Sequence, residues 1–358
     1  LAAAVLVGVA LFFGGVQAEQ AIAGRSLGPQ SLSDYGRSLE AMAGSRSFLS
    51  EGKSSIVTVY NTPLARTLQN NGLPEAGVLL GPPYLARETV LLGVLPYLVA
   101  EKPDRALVIG LGGANTVDAL TRTRLSEIDV VELEPGVLEA AKVLYDGRES
   151  PLDDPRVHVE IGDGRHELLL GRHRGGPHYD LIASQPSHPW IAGAANLFTE
   201  EFFALAKENL TEGGVFALWV NGFRTDPESV LALISSFERI FPGALLVDGG
   251  SARPRDSLIL LGSRAPLRVN PARVAQRLSE PKLDALLHLF ELDSPERVLA
   301  LSEGPAAQFA ALAGEFQKAL SSFPVSVFGE VTAEVALDHP DRFYAVRDRI
   351  EAERERLA

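Results

Sequence analysis

The sequence predicts an α/β fold in which a mostly parallel sheet carries helices on both faces. The first observation is an order of strand, glycine turn, helix and strand between Ala106 and Lys142. The second is a series of further apolar runs of strand length that are followed by glycine or proline loops. A small β unit is predicted before this sheet, and a helical extension is predicted after it.

Composition limits the classes of function. The chain has 358 residues, which suggests two domains. Its net charge of −13 makes nucleic acid a poor partner; an acidic surface suits a cationic amine, although solubility explains it equally well. Cysteine is absent, which excludes disulfides, thiol catalysis and cysteine-bound metals. The seven histidines lack metal-ligand spacing, so no metal is predicted.

The apolar residues 1–18 leave three interpretations open. They have about the minimum length of a membrane helix. Val16-Gln-Ala18 also resembles the cleavage site of a signal peptide, and a buried core helix is the third interpretation. Residues 19–50 are rich in glycine and serine and are expected to be a linker with one short helix, Leu32–Met42.

Residues 51–85 are predicted to form a small β-hairpin unit. Ile56–Tyr60 favours a strand, and a turn at Asn61–Pro63 leads to a second strand, Leu64–Gln69. Asn70–Gly72 is a second turn.

The glycine turn of the main domain, residues 86–265, is typical of a nucleoside site. Gly110, Gly112 and Gly113 follow a buried strand, and Glu132 ends the next strand about 20 residues later. In Rossmann-like folds such glycines let the backbone approach the ligand, and such an acid accepts hydrogen bonds from ribose hydroxyls. Asn115 replaces the last glycine of the dinucleotide pattern, which favours an adenosyl ligand such as S-adenosylmethionine over NAD. The alternative interpretation is that the glycines only permit a tight turn between the strand and the helix.

Two further strands deliver polar loops to the same edge. Val157–Ile161 leads to Asp163 and Gly164, and a carboxylate there can accept a hydrogen bond from an adenine amino group. His178–Ser184 leads into the proline-bounded loop Gln185–Trp190. Open α/β sheets bind ligands at the carboxyl ends of their strands, so these loops are expected to meet there.

The rest of the chain completes the sheet and adds helices. Leu197–Phe203 opens a helix with Thr199 as its N-cap, and Thr211–Gly214 is predicted to end it. Val215–Val220 and Leu258–Gly262 are predicted strands. Residues 266–358 form the helical extension, in which the spacing from Leu283 to Phe290 predicts a packing helix and a charged last helix covers 340–357.

Taken together, these segments resemble the spermidine synthases and their relatives, the polyamine aminopropyltransferases, over roughly residues 45–265. The loop Ser184–Trp190, followed by Ala192 and Gly193, resembles a bacterial branch in which the synthase-like domain follows a multi-helix membrane region. The segments that carry the family resemblance are Glu51–Val59, Val108–Gly113, Val131–Pro135, Asp154–Val157, Gly162–Arg165, Tyr179-Asp180 and Leu197–Phe203.

The resemblance implies a Rossmann-like S-adenosylmethionine-dependent methyltransferase fold and roles for particular residues. Glu132 matches the family's acid on the ribose, and Asp163 matches the acid beside the adenine. The cofactor-binding residues expected on this basis are Gly110, Gly112, Gly113, Glu132, Asp163, Gly164 and Ser184.

The chain departs from the family at the reacting end. Gln185 stands where the family has the aspartate that deprotonates the attacking amine, and His188 matches a second aspartate. His188 is then the remaining titratable candidate for a base, although a loop histidine that orients Trp190 is the more ordinary interpretation. The family's Tyr-His-Glu segment is not evident; Thr89–Gly93 stands near its place.

The resulting expectation is a transferase that uses S-adenosylmethionine or its decarboxylated form and transfers an aminopropyl group to a small amine. The alternatives are a methyltransferase and a non-catalytic adenosyl-binding domain of a membrane protein. The family branch favours membrane attachment through residues 1–18, with the transferase domain in the cytoplasm and export after signal cleavage as the alternative. The family's β unit assists dimerisation, which implies a homodimer.

Overall fold

The computed structural model describes residues 45–52, 55–173, 179–187, 189, 191, 193–221, 227–250 and 257–305. The predicted membrane or signal segment, the linker helix Leu32–Met42 and the charged last helix lie outside these ranges. So do two residues of the candidate loop, His188 and Trp190. Within the described ranges, no helix is long and apolar enough to cross a bilayer.

The N-terminal β unit is a four-stranded antiparallel sheet with its strands in chain order. Its strands are β1 (Arg46–Glu51), β2 (Ile56–Asn61), β3 (Ala65–Asn70) and β4 (Leu73–Leu79). The predicted turn before β4 is present, because Asn71 and Gly72 both have positive φ, 51° and 80°, as a tight hairpin requires. The sequence analysis missed β4, since Pro74 and Gly77 break the pattern of a strand. Pro74 is tolerated because it lies beside a register shift on a strand that, among the described strands, pairs only with β3.

The main sheet has eight strands in the order β12-β10-β11-β9-β8-β5-β6-β7. The five strands from β9 to β7 are parallel to one another, and β11, β10 and β12 continue the sheet antiparallel. The mostly parallel sheet is therefore confirmed. Its strands are β5 (Arg105–Ile109), β6 (Glu127–Glu132), β7 (Val157–Ile161), β8 (Tyr179–Ser184), β9 (Leu210–Asn221), β10 (Leu245–Asp248), β11 (Ser257–Ser263) and β12 (Ser302–Pro305).

Helices of the described ranges connect and cover these strands. Thr199 is the N-cap of α5, as predicted, and its hydroxyl accepts a hydrogen bond from Phe202 N. The helices are α1 (Arg87–Val99), α2 (Asn115–Thr121), α3 (Pro135–Leu144), α4 (Gly164–His173), α5 (Glu200–Asn209), α6 (Pro227–Ile240), α7 (Pro271–Leu278), α8 (Pro281–His288) and α9 (Pro295–Leu299).

The predicted end of α5 is wrong. The helix ends at Asn209 and β9 begins at Leu210, so the glycine pair Gly213-Gly214 lies inside a strand rather than at a helix stop. Leu210 pairs with Tyr179 but Val215 pairs with Leu181, so β9 bulges at this point.

Alternate residues of each central strand point to two apolar layers. Ala106 and Val108 of β5 belong to the layer that includes α1 and α2, while Leu107 and Ile109 belong to the layer that includes α5 and α6. Five phenylalanines fill this second layer, and all are fully buried: Phe202, Phe203, Phe216, Phe237 and Phe241. Helices therefore cover both faces, as predicted.

The described part of the C-terminal extension docks on the end of α1. Arg277 of α7 donates to the carbonyl oxygens of Leu98 at 3.0 Å and Ala100 at 2.7 Å, which lack partners within the helix. The Tyr97 hydroxyl donates to the carboxylate of Glu280, at 2.8 Å from its Oε1. This contact lies at the amino ends of the parallel strands, opposite the edge that carries the predicted site residues.

Candidate functional site

The carboxyl ends of β5, β6 and β8 meet at one edge of the main sheet. Gly110 N donates to Val131 O at 2.9 Å, and Gln185 N donates to Ile109 O at 2.8 Å. Gly162 N donates to Glu132 O at 2.9 Å, which extends the edge to the end of β7. The structure thus brings together the glycine loop, Glu132, Ser184 and Gln185, in agreement with the rule for open α/β sheets.

The glycines of the loop are required by the protein's own packing. Gly110 has φ +88°, and a Cβ there would lie 2.7 Å from the Gln185 carbonyl oxygen. A Cβ on Gly113 would lie 2.9 Å from the Ala76 Cβ of β4. At Gly112 the nearest atoms are 3.8 Å away, so its φ of +51° is what favours glycine there. The plain alternative of a tight turn therefore explains much of the motif.

The Glu132 carboxylate is hydrogen-bonded to the backbone of the glycine loop. Its side chain accepts hydrogen bonds from Leu111 N at 2.8 Å and from Glu134 N at 2.9 Å. Burial raises the pKa of Glu132, and these backbone N–H groups oppose the rise. The backbone N–H groups of Gly112 and Leu133 also lower this pKa, so the carboxylate is surrounded by backbone donors at the carboxyl edge of the sheet.

Asn115 explains the departure from the dinucleotide pattern. It lies at the start of α2 and is buried, and its Nδ2 donates to Gly77 O of β4 at 2.8 Å. This amide ties the N-terminal sheet to the glycine loop, a contact that glycine cannot make. The strand β4 consequently covers the loop.

Ser184 and Gln185 lie at the end of β8. The Ser184 side chain is completely buried, and among the described residues its Oγ has no hydrogen-bond partner. The Thr116 hydroxyl lies 3.0 Å from the Gln185 Oε1 and 3.1 Å from the Thr89 carbonyl oxygen, and these two acceptors share its one proton. The Gln185 amide is thus held against α2 by a neutral contact.

Asp163 stabilises the start of α4, and Gly164 allows this helix to pack closely on β5. Asp163 is exposed, and its Oδ1 accepts hydrogen bonds from Arg165 N at 2.8 Å and His166 N at 3.2 Å, as an N-cap does. A Cβ on Gly164 would lie 2.3 Å from Ile109 Cγ2, so glycine here lets α4 pack closely on β5. Neither contact tests the predicted role in ligand binding.

Glu75 is the acid at this edge that the sequence analysis missed. It lies on β4, and its carboxylate accepts a hydrogen bond from the hydroxyl of Ser187 in the loop after β8. Burial raises the pKa of Glu75 to about 7, the Ser187 hydrogen bond opposes this rise, and the charge of Glu132 adds to it. The only signal in the sequence was a single acid after the Asn-Gly turn.

Comparison with known proteins agrees with this geometry. Residues 86–246 match the spermine/spermidine synthase domain family. The polyamine aminopropyltransferase of Bacillus mycoides is 28% identical over 149 residues, which are 41% of this chain and 52% of that protein. The spermidine synthase of Solanum lycopersicum is 28% identical over 152 residues, 42% of this chain and 43% of that protein. The chain spans about half the length of the curated relatives it matches.

Solved structures show the same fold over a larger part of the chain. The spermidine synthase of Thermotoga maritima has a TM-score of 0.61 at 18% identity and covers 76% of this chain and 89% of its own. A spermidine synthase in complex with the transition-state analogue AdoDATO has a TM-score of 0.62, with the same identity and coverage. Residues 86–246 of this chain therefore match the spermine/spermidine synthase domain family, and the solved structures show that the chain has the Rossmann-like fold of spermidine synthases.

Proposed function

We propose that this chain is a spermidine synthase-type transferase that binds decarboxylated S-adenosylmethionine at the carboxyl edge of the sheet and transfers its aminopropyl group to a small amine. The observation that carries the proposal is Glu132, a buried carboxylate that contacts the glycine loop at the carboxyl edge of the sheet. The matched synthase domain supports it, since its named relatives are aminopropyltransferases.

The proposed ligand contacts follow the edge of the sheet. The backbone from Gly110 to Gly113 and the Glu132 carboxylate hold the ribose, and Asp163 lies beside the adenine. Ser184 supports a ligand at this edge because its buried hydroxyl lacks a partner among the described residues, and buried polar groups are rarely left unpaired. Gly164 contributes through the packing that places Asp163.

The chemistry is an in-line displacement at the carbon next to a sulfonium. The amine nitrogen forms a bond to that carbon, the carbon–sulfur bond breaks, and its electron pair leaves with sulfur. An amine with a pKa near 10 must first lose a proton, which requires a base and a pocket with little water. Gln185 cannot act as that base, and His188 stays a candidate.

A methyltransferase that uses intact S-adenosylmethionine is the second candidate, and Gln185 is the observation that favours it. A carboxylate at this position would repel the carboxylate of the intact cosubstrate. Two like charges about 4 Å apart at an effective dielectric constant near 20 repel by roughly 4 kcal/mol. Held by Thr116 as a neutral amide, Gln185 removes that repulsion.

Mass spectrometry of the reaction products tests the proposal. The protein is incubated with a diamine and either decarboxylated or intact S-adenosylmethionine. Aminopropyl transfer predicts a diamine heavier by one aminopropyl group, together with methylthioadenosine, from the decarboxylated form. Methylated amine from the intact form alone would replace the proposal by the second candidate, and no product from either would contradict both.

Membrane attachment and dimerisation complete the proposed function. Residues 1–18 supply an apolar segment of about the length of a membrane helix. The N-terminal sheet exposes apolar side chains at Leu49, Ile56 and Leu64, which supports a homodimer through this sheet. Vesicle flotation of the full chain, with and without residues 1–18, tests attachment, and sedimentation tests the dimer.

A further inference from the structure

The carboxylate of Glu75 lies at the proposed reacting edge without an assigned task. Its strand, β4, covers the glycine loop: Ala76 lies against Gly113, and Gly77 accepts the Asn115 amide. Ser187, the third residue after the end of β8, donates to Glu75. Glu75 therefore contacts the loop that contains Gln185, and it lies close enough to Glu132 for the two charges to interact.

Besides burial, the side chains of Ser187 and Glu132 shift the pKa of Glu75. Glu132 raises its pKa through charge, and Ser187 lowers it through the hydrogen bond. On the neighbouring strand β3, the Arg66 guanidinium donates to the carbonyl oxygens of Val143 and Leu144 at the end of α3. No other residue of β4 is charged. Among the described residues, Glu75 thus has no cation partner that would hold it permanently ionised.

We propose that Glu75 is the base that takes the proton from the attacking amine, in place of the carboxylate that the loop lacks at Gln185. This inference rests on the proposed aminopropyl transfer. One family acid is replaced by an amide in the loop, while a partly buried carboxylate, Glu75, contacts the same loop from the N-terminal sheet. The geometry points to a base delivered by a different element of the fold.

The proposed step balances. The ammonium of the acceptor amine gives one proton to the Glu75 carboxylate, which becomes a neutral carboxylic acid. The free amine then attacks the carbon next to the sulfonium, and the electron pair of the broken carbon–sulfur bond neutralises the sulfur. The product amine carries the positive charge, and Glu75 returns its proton to water. A pKa of about 7 suits a base that works near neutral pH.

The experiment compares the pH dependence of kcat for aminopropyl transfer in the full chain, Glu75→Gln and Glu75→Asp. We expect kcat of the unmodified protein to rise with pH through about 7, because the carboxylate form is the active one. Glu75→Gln should lower kcat by about 100-fold or more and abolish this rise. Glu75→Asp, which keeps a carboxylate, should retain the rise. The affinity for decarboxylated S-adenosylmethionine, measured by calorimetry, should change by less than about tenfold in Glu75→Gln.

Two control variants make the result specific. Glu139→Gln removes an exposed carboxylate of α3 and should leave the profile unchanged. Glu88→Gln removes another partly buried carboxyl group with a raised pKa, at the start of α1. A rise that survives Glu75→Gln and disappears in Glu88→Gln would overturn the inference. So would a Glu75→Gln effect on the amine KM alone, which would indicate cation binding. An unmodified protein that binds the adenosyl ligand but transfers nothing would instead refute the proposed function itself, and the base role with it.

Discussion

The partly buried carboxyl group of Glu75 should make the stability of this protein depend on pH. In the folded protein burial raises its pKa from the ordinary 4.5 to about 7. The folded state therefore holds the proton more tightly than the unfolded chain, and this contribution to stability is present below pH 4.5 and lost as the pH rises through 7. A shift of 2.5 pKa units at 1.36 kcal/mol each corresponds to about 3 kcal/mol.

Glu75→Gln tests this magnitude because glutamine is similar in shape and does not titrate, and its carbonyl can still accept the Ser187 hydrogen bond. Urea denaturation of both proteins at pH 4.5 and pH 8 gives the four free energies of unfolding. The free energy of unfolding of the variant, relative to that of the unmodified protein, should increase by about 3 kcal/mol from pH 4.5 to pH 8. The exposed carboxylate of Glu139 serves as a control, and Glu139→Gln should show almost no such change. An equal effect of Glu75→Gln at both pH values would refute the reasoning.

Three further predictions follow from the contacts of the site and the extension. Glu132→Ala should weaken adenosyl-ligand binding by about tenfold or more. It should also lower the free energy of unfolding by roughly 1–3 kcal/mol, because two buried N–H groups lose their acceptor. Calorimetry measures the first effect and urea denaturation the second, and unchanged affinity in a folded variant would show that Glu132 does not bind the ligand. Arg277→Ala should lower the free energy of unfolding by about 2–4 kcal/mol, since the last carbonyl groups of α1 lose their donor; a loss below about 0.5 kcal/mol in urea denaturation would contradict this. Gln185→Asp should shift the preference toward the decarboxylated ligand over intact S-adenosylmethionine, measured as the ratio of their dissociation constants; an unchanged ratio would place Gln185 away from the reacting centre.

The central α/β architecture was predictable because each element has a strong local signal. The strands β5 and β7 are each followed directly by a glycine, and the Thr199 hydroxyl marks the start of α5. The carboxyl-edge rule then predicts that Glu132 and Gln185 meet, although they are 53 positions apart in the sequence.

The predictions that were wrong or incomplete concern residues whose conformation depends on tertiary contacts, for which the local sequence carries no signal. The strand β4 contains a proline and a glycine, and its pairing with β3 overrides that weak propensity. Glu75 was missed with it, since its hydrogen-bond partner Ser187 lies more than 100 positions away in the sequence. The pair Gly213-Gly214 resembles the end of a helix in sequence, but in the structure it lies in β9, where that strand bulges opposite β8. Likewise, only the structure shows that Gly164 makes room for Ile109.

The central claim is that the carboxyl edge of the sheet binds an adenosyl sulfonium. Isothermal titration of the full chain with decarboxylated S-adenosylmethionine tests it most directly, because binding is measured without an acceptor amine or a catalytic step. We expect saturable binding at one site per chain, and this binding should weaken by about tenfold or more in Glu132→Ala. No binding to the folded, unmodified protein, or binding that is equally tight in folded Glu132→Ala, would contradict it.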